Sequence, residues 1–207
     1  MDEYKSREEE AFALWCAEAQ DFGLIEGWVY EPPSWLLTPK VTIMYPKQLK
    51  TKVKLVERTL HQPHVYTCDF KMKLTALGLI AFADIFPKTY LGKEFSEMFG
   101  VHNAIVIDIK GGFALHGGAR SFSINRKLMW HKHQIEVEEV VHWKPQHDRK
   151  GVPKKKPGKC FFMDTFCPKP LRLLKNLKPS AMGLACPTVM EFLEKHTTNE
   201  WDGVDPF

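Results

Sequence analysis

Alternation of apolar and polar residues predicts that the chain begins with an amphipathic helix. Within residues 6–22, Phe12 and Trp15 recur at the spacing that places side chains on one helical face. Ser6 is a residue type that caps helix N-termini, and Glu9 follows it at the capping-box spacing. The sequence therefore predicts a helix over residues 6–22 with one apolar face.

Period-two alternation predicts strands after this helix. The predicted strands are Val41 to Tyr45, Lys52 to Arg58 and His64 to Leu74, preceded by an extended segment at residues 34–37. In the last strand, Asp69 lies on a polar face and Phe70 on the opposite face.

The strongest strand pattern is followed by a helix and a returning strand. Within residues 103–110, the four residues 104–107 are all apolar, which is typical of a central strand covered on both faces. Residues 120–133 have helical spacing, and residues 134–142 alternate. This order predicts a βαβ crossover, which is normally right-handed. Residues 75–102, with a short helical candidate at 93–99, are interpreted as an insertion.

Composition indicates a globular chain. Of its 207 residues, 44% are hydrophobic and 26% are charged, which excludes a mainly disordered protein. No apolar run approaches the roughly 18–20 residues that cross a bilayer, and the acidic start lacks the features of a signal peptide. The five cysteines are an odd number without tight spacing, which favours reduced thiols. We therefore expect a soluble cytoplasmic protein without a membrane partner.

The net charge of +4 conceals an asymmetry along the chain. Residues 1–40 contain nine acids and three bases, whereas residues 144–179 contain eleven bases and two acids. A dense cationic segment that contains proline and glycine is available to a polyanion such as nucleic acid. The alternative interpretation is a solvated basic loop.

Two acidic positions suggest a site for phosphate chemistry. Side chains at i and i+2 of a strand share a face about 6.6 Å apart, so Asp108 and Lys110 project together and Ile109 points into the core. The glycines that follow allow a phosphate backbone to approach. With Asp69 from another strand as a second carboxylate, the set suits Mg²⁺, which takes few protein ligands and keeps several waters.

These residues resemble a known nuclease signature. The segments Tyr66-Thr67-Cys68-Asp69-Phe70 and Ile105-Val106-Ile107-Asp108-Ile109-Lys110-Gly111 look like the split motif of the PD-(D/E)XK, or restriction-endonuclease-like, superfamily. The start Ser6-x-x-Glu9 resembles the first helix of phage-type nucleases and Holliday-junction resolvases. The chain departs from the signature at Cys68, where the motif has proline, and at Asp108, where glutamate is commoner.

The resemblance implies a fold, an activity and a set of site residues. The fold class is α/β, with a restriction-endonuclease-like αβββαβ core and a mixed central sheet over residues 1–142, and a basic C-terminal extension at 143–207. Asp69 and Asp108 would bind Mg²⁺ or Mn²⁺ with the Ile109 carbonyl, and Glu9 would bind it directly or through water. Lys110 would orient the attacking water or neutralise the transition state.

The implied function is metal-dependent endonuclease hydrolysis of DNA, structure-specific for branched or Holliday-junction DNA, in phage recombination or processing. Such enzymes commonly act as homodimers, and this one would act in the bacterial host cytoplasm. The candidate DNA contacts are Arg120, Asn125, Arg126, Lys127, Lys154, Lys155 and Lys156, with solvated surface charge as the alternative. Three aromatic residues are candidates for base stacking or for the core: Tyr66, Trp130 and Trp143.

Several alternatives stay open at this level. Asp108 and Lys110 suit a surface ion pair, Asp69 a turn, and Glu9 a capping box. A non-catalytic DNA-binding protein would keep the fold without the chemistry. A zinc-organised interaction module would use thiols and imidazoles, although no close cysteine pair is present. Its candidate ligands are Cys160, Cys167, Cys186, His131, His133, His142 and His147. Packing of a C-terminal subdomain is the other interpretation of Cys160 and Cys167.

Overall fold

A mixed four-stranded sheet forms the centre of the fold. The computed structural model describes residues 4–83, 104–110, 118–141, 161–173 and 187–197. The helices are α1 (Arg7–Asp21), α2 (Ala76–Ala83), α3 (Gly118–His133), α4 (Phe161–Asp164), α5 (Lys169–Arg172) and α6 (Val189–Thr197). The strands are β1 (Ile25–Tyr30), β2 (Trp35–Thr38), β3 (Val41–Gln48), β4 (Val53–His61), β5 (His64–Tyr66), β6 (Phe70–Leu74), β7 (Ala104–Lys110) and β8 (Val137–Val141).

The order of strands in the central sheet is β1-β6-β7-β8. Strand β6 pairs antiparallel with β1 and β7, and β7 pairs parallel with β8. Helix α3 connects the two parallel strands, so the predicted crossover from strand to helix to strand is confirmed. The predicted α/β class and mixed sheet are confirmed with it. The narrower assignment to the restriction-endonuclease-like core stays a prediction.

Apolar residues cover both faces of this sheet. On one face, the buried side chains of Phe12 and Trp15 from α1 belong to the same core as Phe70 and Ile107. On the other face, residues of α3 pack on a smaller core that includes Val106. Strand β7 therefore lies between two apolar layers, as its sequence predicts.

The first helix begins and ends where the sequence predicts. Ser6 is its N-cap, and Gly23 follows its end with φ +72°, a conformation that favours glycine. Leu24 then turns back toward the sheet, and α2 packs on it so closely that a Cβ at Gly78 would lie 2.0 Å from the Leu24 carbonyl oxygen. This contact explains why the interior of α2 contains a glycine.

Helices from the predicted C-terminal extension share the main core. Phe161 stacks edge-on against Trp15, and Phe166 lies parallel to the same indole. Phe192 of α6 is buried beside Phe82 of α2. The described helices after residue 160 therefore cover α1 and α2, while the division of the chain at residue 142 stays a prediction.

The prediction of one continuous strand over residues 64–74 is wrong. This segment forms β5 and β6, which belong to different sheets and are separated at residues 67–69. The break has a physical cause, because β5 pairs with β2 whereas β6 pairs with β1 and β7. Asp69 consequently lies immediately before a strand and not within one.

Other boundaries differ by a few residues. Strand β4 continues to His61, β8 is shorter than predicted, and α3 begins at Gly118. The chain leaves the sheet after β6 and returns as its antiparallel neighbour β7, as expected for an insertion, and α2 forms the insertion's first part. The helical candidate at 93–99 lies outside the described residues.

Strands β3 and β4 form a separate two-stranded hairpin, which confirms the two strands predicted there. Seven of the eight residues of β3 and seven of the nine residues of β4 are exposed. The hairpin thus contributes little to the core. Among the helices that the structure describes, none is both long and apolar enough to cross a membrane.

Candidate active site

Two carboxyl groups meet where β6 begins and β7 ends. Phe70 pairs with Ile107 in the antiparallel ladder, which places Asp69 opposite Asp108. The Asp69 N–H donates to the Ile107 carbonyl at 3.1 Å, and the Ile109 N–H donates to Asp69 Oδ2 at 2.6 Å. The backbone of β7 therefore holds the Asp69 side chain across the strand pair, and the structure brings Asp69 and Asp108 together, while their role in one site stays a prediction.

The charge of Asp69 is unfavourable in this position. Burial raises the pKa of Asp69 to about 8, and a side-chain hydrogen bond with Asp108 and the negative charge of Asp108 add to the rise. The Ile109 N–H lowers the pKa, and the more distant charge of Glu9 raises it. A proton or a cation beside the two carboxyl groups would relieve their repulsion.

Asp108 and Lys110 project on the same side of β7, as predicted. Lys110 Nζ lies 2.8 Å from Asp108 Oδ1 and 4.6 Å from the centre of the Phe122 ring. The side chains retain 10% exposure for Asp108 and 21% for Lys110, so this is not an ordinary surface ion pair. Because burying two charges costs about as much as their attraction returns, such a pair adds little net stability.

Glu9 combines a capping position with a buried carboxylate. Its N–H donates to Ser6 Oγ at 3.1 Å, which confirms the predicted cap. Its Oε2 accepts hydrogen bonds from the Tyr30 hydroxyl at 2.6 Å and from the Lys5 N–H at 3.0 Å. The carboxylate is therefore oriented by groups other than the cap, and its charge acts on Asp69.

The site also contains two tyrosines that the sequence patterns do not assign to it. Tyr66 donates to Asp108 Oδ2 at 3.0 Å, and Tyr30 donates to Glu9. Burial is the first cause that raises the pKa of each phenol, to about 12 for Tyr30, so both hydroxyls remain donors. The closeness of Tyr66 to Asp69 in the sequence could have indicated that Tyr66 belongs to the site. Tyr30 gives no such indication, because it lies on β1 and is 21 residues from Glu9 in the sequence.

The predicted DNA contacts on α3 are in different environments. Lys127 is exposed and Asn125 is half-buried. Arg126 forms an ion pair with Glu136, so part of its charge is neutralised within the protein. The side chain of Arg120 and the residues Lys154, Lys155 and Lys156 lie outside the described residues.

The candidate zinc ligands are only partly described. Cys167 is buried in the main core, which fits the packing interpretation. The His133 imidazole lies 3.3 Å from the Leu36 carbonyl oxygen. The structure does not describe Cys160, Cys186, His142 or His147.

Within the described ranges, no three His, Cys, Asp or Glu side chains form a complete metal-binding group. Mg²⁺ does not require such a group, because it often binds one or two carboxylates together with water and substrate phosphates. Asp69 and Asp108 are an oxygen donor pair of this kind. Each carboxylate oxygen has two lone-pair directions, so the hydrogen bonds from Ile109 and Tyr66 leave acceptor capacity.

Comparison with protein-family models, curated proteins and solved structures gives no match for this chain.

Proposed function

We propose that this protein is a metal-dependent endonuclease that hydrolyses phosphodiester bonds in DNA. The observation that supports this most is the apposition of Asp69 and Asp108 at adjacent strand ends, with Lys110 on the same side of β7. The raised pKa of Asp69 adds support, because its causes are burial and, after burial, the hydrogen bond with Asp108 and the negative charge of Asp108. A divalent cation would relieve that repulsion.

Asp69 and Asp108 would bind Mg²⁺ or Mn²⁺, together with the Ile109 carbonyl and with Glu9 through water, because Glu9 does not complete a three-residue group with the two aspartates. When bound, the metal would lower the pKa of a bound water and offset charge on the scissile phosphate. The donor set fits such an ion because all its atoms are oxygens, which hard cations prefer.

Other groups of the chain orient the two carboxylates and balance negative charge at the site. The Ile109 N–H fixes the Asp69 carboxyl, and Tyr66 fixes Asp108. Lys110 would release its contact with Asp108 in part when phosphate arrives, and its ammonium would stabilise the negative charge that develops there. The Phe122 ring beside it limits where the ammonium can go.

For the substrate, we propose branched DNA, by resemblance to phage-type resolvases. The basic segment after residue 143 and the exposed face of α3 would add phosphate contacts. Cutting both strands of a junction would require two active sites, so we propose a homodimer as the working form.

A non-catalytic DNA-binding protein is the second candidate. Each oxygen of Asp108 already has one partner within the protein, Lys110 at Oδ1 and Tyr66 at Oδ2, and this arrangement would also suit a retained but inactive site.

Cleavage assays distinguish the two candidates. The purified chain is incubated with supercoiled plasmid, linear duplex and a four-way junction, each with Mg²⁺, Mn²⁺ or EDTA. We expect cleavage in either metal, none in EDTA and faster cleavage of the junction. Lys110→Gln should be inactive, whereas Lys195→Gln, which removes an exposed lysine of α6, should match wild type. No cleavage of any substrate in either metal, or equal cleavage by wild type and Lys110→Gln, would contradict the proposal.

A further inference from the structure

The β3–β4 hairpin separates its side chains into two different faces. Directly paired residues of an antiparallel ladder point to the same side. One side therefore carries three cross-strand pairs, which are Ile43 with Arg58, Tyr45 with Val56, and Lys47 with Lys54. We call this side the basic face, and it contains three cations and no acid.

The opposite side of the hairpin carries one acid and no cation. Its cross-strand pairs are Thr42 with Thr59, Met44 with Glu57, Pro46 with Leu55, and Gln48 with Val53. Glu57 is the only acid between residues 41 and 61. The turn between the strands adds Lys50 and Lys52, so the hairpin carries five cations on its basic face and tip.

None of these five cations forms an ion pair with a residue that the structure describes. Lys47 and Lys54 are moreover directly opposed, and like charges at paired positions of a ladder are destabilising. The hairpin thus tolerates a repulsion that a bound polyanion would remove. This charge complementarity favours nucleic acid over a second copy of the chain.

The dimensions of the hairpin suit the groove of a DNA duplex. Eight or nine residues per strand give a ribbon about 26–30 Å long at about 3.3 Å per residue. The major groove of B-form DNA is about 12 Å wide and admits a two-stranded ribbon. The major groove of A-form RNA is deep and narrow and does not.

The base of the hairpin lies next to the candidate active site. The hairpin follows β2, and the chain returns from it into β5, whose last residue is Tyr66. Tyr66 donates to Asp108, and Asp69 follows it three residues later. The segment that closes the hairpin therefore leads directly into residues of the candidate active site.

We propose that the β3–β4 hairpin is a groove-binding arm that holds B-form duplex DNA beside the candidate active site, with its basic face toward the DNA. This inference rests on the proposed function for the choice of DNA as the polyanion, but it does not require hydrolysis.

The test measures binding without cleavage. Fluorescence anisotropy follows binding of a labelled DNA duplex to the full chain in EDTA over a range of salt concentrations. The variant K47Q/K54Q removes the opposed pair, and K169Q/K195Q removes two exposed lysines of α5 and α6. We expect K47Q/K54Q to raise the Kd about tenfold near 0.1 M salt and to reduce the slope of log K against log salt by about 2. We expect the charge-matched control to change both quantities much less.

Further measurements test duplex RNA and a second copy of the chain as alternative binding partners of the hairpin. M44Q/L55Q alters the opposite face and should leave both DNA affinity and oligomeric state unchanged. A duplex RNA of the same sequence should bind more weakly than DNA. Equal binding by K47Q/K54Q and wild type, absence of DNA binding by wild type, equal affinity for duplex RNA, or loss of self-association in M44Q/L55Q would each overturn the inference. Hairpin-dependent binding without any cleavage would contradict the proposed nuclease activity alone.

Discussion

The candidate active site and the β3–β4 hairpin carry their charges in opposite ways. At the site, Asp69, Asp108 and Lys110 are largely buried, and each has a partner within the protein. On the hairpin, Lys47 and Lys54 are exposed, unpaired among the described residues and directly opposed. Buried charges must be compensated where they lie, whereas exposed charges cost little and act over a distance. Changes at the site should therefore alter chemistry and pH dependence, and changes on the hairpin should alter affinity and salt dependence.

The largest expected effect separates catalysis from binding. Asp69→Asn removes one carboxylate while keeping an acceptor for the Ile109 N–H. We expect cleavage to fall at least about a thousandfold, because losing several kcal/mol of charge stabilisation corresponds to about three powers of ten in rate. Duplex binding in EDTA should change less than about twofold.

Asp21→Asn is the control for this variant, since Asp21 is an exposed carboxylate at the C-terminal end of α1, remote from Glu9. It should cleave like wild type. Comparable activity in Asp69→Asn and wild type would contradict the assigned site.

A smaller effect is expected from the tyrosine that orients Asp108. Tyr66→Phe removes the hydroxyl that donates to Asp108 Oδ2 and keeps the buried ring. Loss of such a supporting hydrogen bond typically costs about 10–100-fold in metal affinity or activity. Calorimetric titration with Mn²⁺ and cleavage rates measure both quantities. Tyr45→Phe on the hairpin is the matched control and should leave Mn²⁺ affinity unchanged. If Tyr66→Phe also bound Mn²⁺ like wild type, Tyr66 would not be a positioning residue for Asp108.

The buried carboxyl pair should also make stability depend on pH in EDTA. The pKa of Asp69 is about 8 in the folded protein and 3.8 ordinarily, so the folded state binds the extra proton between these values. Stability from this group is complete below about pH 4 and is lost as the pH rises through about 8. We expect the Tm of wild type in EDTA to fall between pH 6 and pH 8 and that of Asp69→Asn to fall less. Parallel curves for the two proteins would show that Asp69 does not carry this dependence.

The smallest expected effect concerns the stability of the hairpin itself. K47Q/K54Q removes a repulsion between exposed side chains, which is worth at most about 1 kcal/mol. The Tm at low salt should therefore stay the same or rise slightly, and high salt should erase the difference. A clear fall in Tm would mean that these lysines have a structural role, and the comparison between the two regions would then fail.

Much of the fold could be predicted because the relevant signals are local. The spacing of apolar residues in α1, the continuous apolar run of β7 and the capping residue Ser6 each act within a few residues. The same holds for Asp108 and Lys110, because the pleat of a single strand places them together. The break between β5 and β6 cannot be predicted from the pattern, because the alternation of side chains continues through residues 67–69. Only the pairing of β5 and β6 with different strands interrupts the extended segment.

The sequence by itself determined the α/β class, the two parallel strands joined by a helix, and the acidic residue types from which a metal site could be built. Tertiary structure alone decided that Asp69 accepts from the backbone of β7, that Tyr30 and Tyr66 orient the acids, and that phenylalanines after residue 160 cover α1. The physical reason is that hydrophobic periodicity records which side of an element is buried, whereas hydrogen bonds between distant residues depend on how the elements are brought together.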